Sequence, residues 1–526
     1  MAFMFSVWTF AVPVCLLYLI KKLWYWYNIS KSDPNCSAPL PGGSMGWPII
    51  GETFHVLFQG PSFYEKNFAK FGRVFKTHLF LNPTVRVHGP DNIAKILQGE
   101  NDIVTSTWPS STRLILGEDT LAMAQAEEHA FMKKRVFAAF SHSALSGYVS
   151  MIQKPVRMAI EKWCQSDEVL AANVLRHLSF RVAADVLCGF HYTDEDVTEL
   201  CQKFDDIMKG IMTIPYDVPF SRFRRALQAR DFIKQKIDEN VTRKANLDPE
   251  EDTQDAMRIL IDLANKSDDS SSKEGLYEAI KNQTIEFLTS GMLSLSSAAS
   301  TMLYHLAKKP SVLAKVREEL NDYGLLTDYS PLTLNKINQC RYVMQVIKES
   351  LRMVPPIGAT FRTALKTFEL DGKQIPKGWT VFWSIRETIH LSDSFTDTKN
   401  FDPDRFSPQR QEDKVAGRFS MPVFGHGTHS CIGQNFALLT LRILLIELAR
   451  TCDFETPNVD KIKFSWIPSP KPKCGMPTRF TRKILVDQNE NEVSYSSKSS
   501  TCPQGEDSRE RSEEGVHQRS TTCHAA

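Results

Sequence analysis

Residues Phe424–Ala437 read FGHGTHSCIGQNFA and place Cys431 in a glycine-punctuated loop that runs directly into a helical pattern, Gln434–Arg450. The loop glycines let the backbone approach a bulky flat ligand and leave amide N–H groups free to face the sulfur. The N-terminus of the following helix favours negative charge, so we expect Cys431 to be a thiolate. An inert core residue is the ordinary alternative for a lone cysteine. The glycine-rich loop favours a cysteine that binds a metal centre.

The composition is that of an ordinary globular protein. The chain has 526 residues, of which 42% are hydrophobic and 24% are charged, so it can bury a large core. Lys and Arg number 63 against 61 Asp and Glu, and this balance indicates no nucleic-acid partner. The 11 cysteines show neither a CxxC motif nor a zinc spacing, which argues against a disulfide scaffold and a zinc site.

The chain divides into four predicted segments. Ala2–Ile20 carries no charge and is followed by two lysines and the aromatic run Trp24–Tyr27, so residues 1–22 predict an uncleaved transmembrane anchor. A cleaved signal peptide is the alternative. Residues 23–48 predict a linker rich in proline and glycine, and residues 49–486 predict the catalytic domain. Residues 487–526 predict a disordered polar tail, because they contain few apolar residues.

Apolar residues between the linker and the tail recur mostly at helical spacing. The predicted helices are His129–Phe140, Met151–Trp163, Leu276–Leu306, Val312–Leu320, Tyr342–Met353 and Gln434–Arg450. The predicted strands are Val74–Phe80, Thr84–His88, Thr367–Leu370 and Trp379–Ser384. The predicted fold class is therefore mainly α with small β-sheets.

Three motifs resemble those of one enzyme family. Residues 424–433, with the spacing F-x-x-G-x-H-x-C-x-G, are similar to the haem-binding signature of cytochrome P450 monooxygenases. The run E-S-L-R at 349–352 resembles the Glu-x-x-Arg helix motif of that family, and F-D-P-D-R-F at 401–406 resembles its Pro-x-Arg-Phe segment. The resemblance implies the cytochrome P450 fold, a triangular helical prism around haem b, with the Cys431 thiolate as the axial iron ligand. Such a thiolate favours cleavage of the O–O bond.

The family pattern also implies roles for residues around the haem. Cations are expected near its two propionates. The implied haem contacts besides Cys431 are Phe424, Gly425, His429, Arg362, His129 and Lys133. The family usually has Arg where His429 stands. For His129 and Lys133, which stand where the family often has Trp-x-x-x-Arg, a solvated helix face is the alternative.

A second set of residues is expected to stabilise the structure instead of reacting. Glu349 and Arg352 are i, i+3 neighbours on one helix face. Arg405 could close them into a buried ion triad under the haem.

A narrower resemblance covers about Leu40 to Arg479. Residues 40–52, 76–87, 108–117 and 361–379 look like those of the retinoic-acid hydroxylase group, family twenty-six of the superfamily. The likeness implies a lipophilic substrate, a carboxylate-bearing isoprenoid such as retinoic acid. The implied substrate contacts are Trp108, Arg86 and Ile357.

In that pattern Trp108 lines the pocket above the haem, and Arg86 lies near the substrate carboxylate, because a buried carboxylate needs a charged partner. A structural ion pair or a propionate contact is the alternative for Arg86. The family further implies O2, an NADPH–cytochrome reductase and a lipid bilayer as partners. The expected location is the endoplasmic reticulum membrane, with a single span and a cytosolic catalytic domain.

The predicted helix that crosses the haem departs from the family. A monooxygenase usually carries an acid–Thr pair there, which relays protons to bound O2. Leu293 and Ser294 occupy those two positions, so Ser294 is the predicted catalytic residue, assisted by Ser296, Ser297 or ordered water. Hydroxylation of an unactivated C–H bond is the predicted reaction. Rearrangement or dehydration of a lipid peroxide without external electrons is the first alternative, and a non-catalytic haem sensor is the second.

Overall fold

The computed structural model describes residues 2–190, 192–211, 213–248, 250, 252–266, 270–391 and 393–483. Up to Lys483, the described residues form one compact unit. The predicted polar tail, 487–526, lies outside the described residues. The side chains of residues 1–10, which belong to the predicted anchor, lie outside them as well.

Helices predominate in the described part of the chain. Most of them present one apolar face to a shared core. In chain order they are α1 (Ala2–Ile29), α2 (Thr53–Gln59), α3 (Pro61–Phe71), α4 (Pro90–Gln98), α5 (Ser110–Leu116), α6 (Ala126–Val136), α7 (His142–Cys164), α8 (Ala171–Val182), α9 (Asp194–Ile211), α10 (Arg222–Asn246), α11 (Ala256–Asn265), α12 (Ser270–Lys308), α13 (Pro310–Asp322), α14 (Leu334–Gln339), α15 (Arg341–Met353), α16 (Ile385–Leu391), α17 (Glu412–Ala416) and α18 (Gln434–Thr451). Short 3₁₀ turns cover Phe137–Phe140, Pro403–Phe406 and Val459–Lys461, and a π-helical turn covers Ala183–Leu187.

The strands are short and belong to small sheets. They are β1 (Val74–Leu79), β2 (Asn82–Val87), β3 (Val104–Ser106), β4 (Val169–Leu170), β5 (Ala359–Ala364), β6 (Phe368–Leu370), β7 (Lys373–Ile375), β8 (Thr380–Ser384), β9 (Cys452–Glu455), β10 (Phe464–Ser465), β11 (Lys471–Pro472) and β12 (Pro477–Arg482).

The main sheet has the order β1-β2-β8-β5-β3. Its pairs are antiparallel except β2 and β8, which run parallel. A second sheet has the order β4-β12-β9, and two hairpins pair β6 with β7 and β10 with β11. The predicted class, mainly α with small sheets, is therefore confirmed.

The long helix α12 passes through the main helical core. It packs against α8, α10, α11, α15 and α18, which bury its apolar residues on several sides. A Cβ on Gly291 would lie 2.9 Å from the Cβ of Ala183, so the missing side chain at this position lets α12 pack closely on the π-helical turn. The helix begins at Ser270, six residues before the predicted start at Leu276.

Among the helices whose residues the structure describes, none is long and apolar enough to cross a membrane. The transmembrane anchor predicted for residues 1–22 is therefore not supported. Helix α1 continues through Lys21 and Lys22 to Ile29. Beyond them, Trp24 packs edge-on against His78 of the main sheet, with the ring centroids 5.0 Å apart. The C-terminal part of α1 therefore belongs to the folded unit.

Candidate active site

The loop that carries Cys431 is closed by its own backbone. The Cys431 N–H donates to the Phe424 carbonyl at 2.8 Å, and the chain between them turns through left-handed conformations at Gly425 (φ 67°) and Gly427 (φ 76°). L side chains rarely adopt such φ values, which explains the glycines. The loop ends at Gly433, where α18 begins. The structure therefore has the predicted order of the loop, Cys431 and then the helix.

The Cys431 thiol has accessible surface, yet burial raises its pKa above the ordinary value. The Gly433 N–H and the Lys133 ammonium act in the opposite direction and lower the pKa of Cys431. The Gly433 N–H stands at the start of α18, so the helix N-terminus favours the thiolate, as the sequence predicts, whereas burial opposes it. A coordinated metal ion deprotonates a thiol outright, so an iron at this site would stabilise the thiolate.

Three of the predicted propionate contacts lie together near this loop. The rings of His129, on α6, and His429 have centroids 3.9 Å apart. Burial, followed by the neighbouring His129, Arg362 and Lys133, lowers the pKa of His429 to about 3, so the imidazole is neutral at physiological pH. The buried His429 Nε2 has no hydrogen-bond partner within the described part of the chain. An orphaned buried donor beside Arg362 suits a haem propionate, so these residues fit the group.

Glu100 joins this group, although the sequence patterns did not select it. Its Oε2 accepts from Arg362 Nε at 2.5 Å, and both side chains are buried. Its Oε1 accepts the Ser106 N–H and lies 3.7 Å from His429 Nε2. Glu100 therefore holds Arg362 in place beside the two histidines. Glu100 lies near Arg362 because β3 pairs with β5. No local sequence pattern shows this pairing.

Lys133 reaches a different target from the predicted one. Its ammonium donates to the carbonyls of Thr428 and Ser430 and to the Ser430 hydroxyl, the last at 3.1 Å. The side chain is neither fully solvated nor free, so the alternative of a solvated helix face does not describe it. Lys133 fastens α6 to the loop that carries Cys431. A haem-propionate contact of Lys133 stays a prediction.

The removal of this ammonium is expected to loosen the cysteine loop. In Lys133→Met the stem keeps its length but the two loop carbonyls lose their donor, so haem should transfer to a haem-free globin about tenfold faster. Lys134→Met is the matched control, because Lys134 is exposed at the next position of the same helix. Equal transfer rates for wild type and Lys133→Met would contradict the assignment.

The structure brings the three residues of the predicted ion triad together. Glu349 accepts two bonds from Arg352, at 2.7 and 2.9 Å, and one from Arg405 at 3.1 Å. All three side chains are at most 1% exposed. Glu412, which sequence reasoning missed, accepts a second bond from Arg405 at 2.7 Å. The group links α15 to the 3₁₀ turn at Pro403 and to α17, so it holds the chain segment that leads to the cysteine loop.

Hydroxyl groups of α12 bond back to the same helix. Ser294 Oγ donates to the Ser290 carbonyl at 2.7 Å, and its side chain is only partly covered. Ser296 donates to the Leu293 carbonyl in the same way, whereas the buried Ser297 donates to Pro470. Ser294 must therefore release its carbonyl before it can donate elsewhere, and Ser297 is already committed to a structural contact.

The three predicted substrate contacts lie in different surroundings. Trp108 is partly exposed, and its Nε1 donates to the Ala122 carbonyl at 3.0 Å. Ile357 is half-buried and packs against the hydrophobic cluster around the main sheet. Arg86 is 2% exposed and pairs with Glu387 at 3.1 Å.

The guanidinium of Arg86 is also enclosed by aromatic rings. The ring centroids of Tyr64 and Phe382 lie 3.9 and 4.0 Å from it. Cation–π contacts of this kind add to an ion pair in a desolvated site. The geometry matches the structural ion pair that was the alternative for Arg86, and contact with a substrate carboxylate stays a prediction.

Comparison with known proteins identifies the family. A family model named Cytochrome P450 matches residues 41–476, which include the cysteine loop and the ion triad. The chain belongs to the cytochrome P450 family. It is therefore a monooxygenase that holds a haem iron through the thiolate of a cysteine, and it acts on a small lipophilic substrate with O2 and a redox partner.

Several P450 relatives match along most of the chain. Cytochrome P450 26A1 of Danio rerio is 40% identical over 487 residues, which cover 90% of this chain and 97% of that protein. Cytochrome P450 26B1 of Mus musculus is 37% identical over 486 residues, which cover 91% and 93%. The solved structure of the retinoic acid bound cyanobacterial CYP120A1 superposes with a TM-score of 0.78 at 28% identity, covering 85% of this chain and all of that one.

The surrounding residues serve the P450 reaction in distinct ways. When bound, the haem supplies the activation of O2 that precedes insertion of one oxygen atom into a C–H bond. Cys431 would ligate the iron, and Lys133 fixes the loop that carries it. Arg362 and His429 would hold the propionates, and Glu100 orients the Arg362 guanidinium. These groups would position the cofactor.

Proposed function

We propose that the enzyme hydroxylates a lipophilic isoprenoid that carries a carboxylate, with retinoic acid as the model substrate. The observation that carries this proposal is the match to cytochrome P450 26A1 over nearly its whole length, since this chain resembles the retinoic-acid hydroxylase group. The likeness to a retinoic acid bound structure supports the same substrate class. In this proposal Trp108 and Ile357 contact the apolar part of the substrate. Arg86 is the proposed partner of the substrate carboxylate, because only its Nη2 pairs with Glu387, whereas its buried Nε and Nη1 have no hydrogen-bond partner within the described part of the chain.

Ser294 is the proposed proton donor to bound O2. Its hydroxyl is the polar group at the position where the family carries threonine, and it remains partly uncovered on α12. Leu293 cannot supply the acid that the family places beside that hydroxyl. We therefore expect proton delivery to depend on Ser294 and on water, and to be slow relative to electron supply.

The missing acid favours one second candidate function. An enzyme that rearranges or dehydrates a lipid peroxide receives its O–O bond ready-made and needs no proton relay. Leu293 in place of an acid would therefore not slow such an enzyme. A haem sensor would consume neither NADPH nor peroxide. The relatives that match along the chain favour hydroxylation over both.

The proposed electron donor is a membrane NADPH–cytochrome reductase, and the proposed surroundings are an endoplasmic reticulum bilayer with the catalytic domain in the cytosol. Exposed apolar side chains on α1 support the proposed contact with a bilayer. Those more than half exposed include Val14, Leu16, Leu17 and Leu19. The test compares product formation with reductase in lipid vesicles and with reductase in detergent-free buffer.

A coupling experiment tests hydroxylation and the role of Ser294. With retinoic acid, NADPH and reductase, Ser294→Ala should lower product formed per NADPH consumed by about tenfold, because its proton donor is gone. Leu293→Glu should raise the same ratio above wild type by restoring an acid beside Ser294. Ser300→Ala is the control, since Ser300 makes the same bond to a carbonyl four residues earlier on α12.

A fatty-acid hydroperoxide separates the candidate functions. If wild type ignores retinoic acid, converts the hydroperoxide without NADPH and is unaffected by Ser294→Ala, the rearrangement function replaces hydroxylation. If it converts neither compound, both the proposed substrate and the rearrangement function are wrong.

A further inference from the structure

The loop between α5 and α6, residues 117–125, is fastened to α12 by two neighbouring backbone groups. The Leu121 N–H donates to Gln283 Oε1 at 3.2 Å, and the Ala122 N–H donates to Glu286 Oε2 at 3.1 Å. Gln283 and Glu286 are i, i+3 neighbours, so they lie on one face of α12. Two consecutive loop residues therefore meet two acceptors on a rigid helix.

The same loop is tied to the strand that leads to Trp108. Trp108 Nε1 donates to the Ala122 carbonyl at 3.0 Å, and Gln125 Nε2 donates to the Ser106 carbonyl at 3.1 Å. Ala122 thus donates to Glu286 through its N–H and accepts from Trp108 through its carbonyl. This arrangement connects α12 to the indole through one loop residue and two hydrogen bonds.

Glu286 also lies on the same helix as the proposed proton donor. Burial raises the pKa of Glu286 itself, whereas the Ala122 N–H lowers it. Ser290 and Ser294 follow Glu286 one and two turns later on α12. The acceptor for the loop therefore belongs to the same region as the proposed proton donor.

We infer that Glu286 is a positioning residue for the substrate, because through Ala122 it holds the 117–125 loop and thereby the indole of Trp108. This inference rests on the proposed function, in which Trp108 contacts the substrate. Neither Glu286 nor Ala122 needs to touch the substrate. The hydrogen bond fixes the position of the Trp108 indole. That position decides which apolar substrate skeleton fits.

Hydrogen exchange measures the hold on the loop directly. In Glu286→Ala the Ala122 N–H loses its acceptor, so amides of the 117–125 loop should exchange about tenfold faster in the holoenzyme. Glu286→Gln keeps an oxygen acceptor and should exchange like wild type, which separates the hydrogen bond from the charge. Glu278→Ala is the control, because Glu278 is exposed on the same helix and pairs with the nearby Lys281.

Substrate affinity then tests whether the hold acts through Trp108. The spectral shift of the haem on titration with retinoic acid should show about tenfold weaker binding for Glu286→Ala and for Trp108→Phe, which keeps an aromatic ring but is smaller and lacks the indole N–H. The double variant should bind no more weakly than either single variant, since both changes break one path. Haem content, measured for every variant, identifies any that fail to fold.

Each result decides a different claim. Unchanged exchange in the 117–125 loop of Glu286→Ala overturns the hold, and additive losses in the double variant overturn its action through Trp108. A wild type that shows no spectral shift with retinoic acid overturns the proposed substrate. In that case, faster exchange in Glu286→Ala still establishes the hold of Glu286 on the loop.

Discussion

Cys431→Ala should abolish the thiolate-type absorption of the reduced carbon monoxide complex and all NADPH-dependent product. The physical reason is that the loop offers one sulfur to the iron. Its backbone is closed by the Cys431 N–H and the Phe424 carbonyl, which a substitution of the side chain leaves in place. The expected variant is therefore folded, with haem that is weakly held or absent.

The control for this variant is Cys474→Ala, because Cys474 is an exposed free cysteine that lies outside the loop. It should retain the wild-type spectrum. A wild-type carbon monoxide spectrum of the histidine-ligated type would contradict the assignment of Cys431 as the ligand. Haem content and the spectrum of each variant, measured on the same preparation, separate loss of ligation from loss of folding.

Removal of Glu349 should have a similarly large effect, on stability. Glu349→Ala leaves the buried guanidinium groups of Arg352 and Arg405 without their shared carboxylate, and breaking a buried pair typically costs about 3–5 kcal/mol. A loss of that size approaches the total stability of many domains, so we expect a protein that misfolds and loses haem. The measurements are the free energy of unfolding and the haem content of the variant.

A surface ion pair beside the triad provides the comparison. Lys315 pairs with Asp404 at 2.8 Å, one residue before Arg405, but both side chains are about half exposed. Exposed pairs contribute about 0–1 kcal/mol, so Lys315→Ala should leave stability and haem content almost unchanged. If Glu349→Ala were folded and haem-replete but inactive, the triad would act in the chemistry, and its structural role would be wrong.

The helices and strands predicted from the sequence are present in the structure, because helical and strand periodicities are local, whereas many of the shorter elements were not predicted. The predicted helix Tyr342–Met353 differs from α15 by one residue, and the predicted strand Trp379–Ser384 differs from β8 by one residue. The helix predicted to begin at Leu276 starts earlier, because the polar residues before it continue the helix. Periodicity detects the apolar face of a helix and misses polar turns that extend it.

The cysteine loop and the E-S-L-R run are short and contiguous, so the sequence by itself determined the family resemblance and predicted Cys431 as the iron ligand. Only the tertiary structure decided where the long side chains end. Arg86 meets Glu387, Lys133 meets the Thr428 and Ser430 carbonyls, and Glu286 meets the Ala122 N–H. These partners are more than 150 residues apart in the chain. A buried polar group bonds to whatever partner packing brings near it, and sequence spacing does not encode that partner.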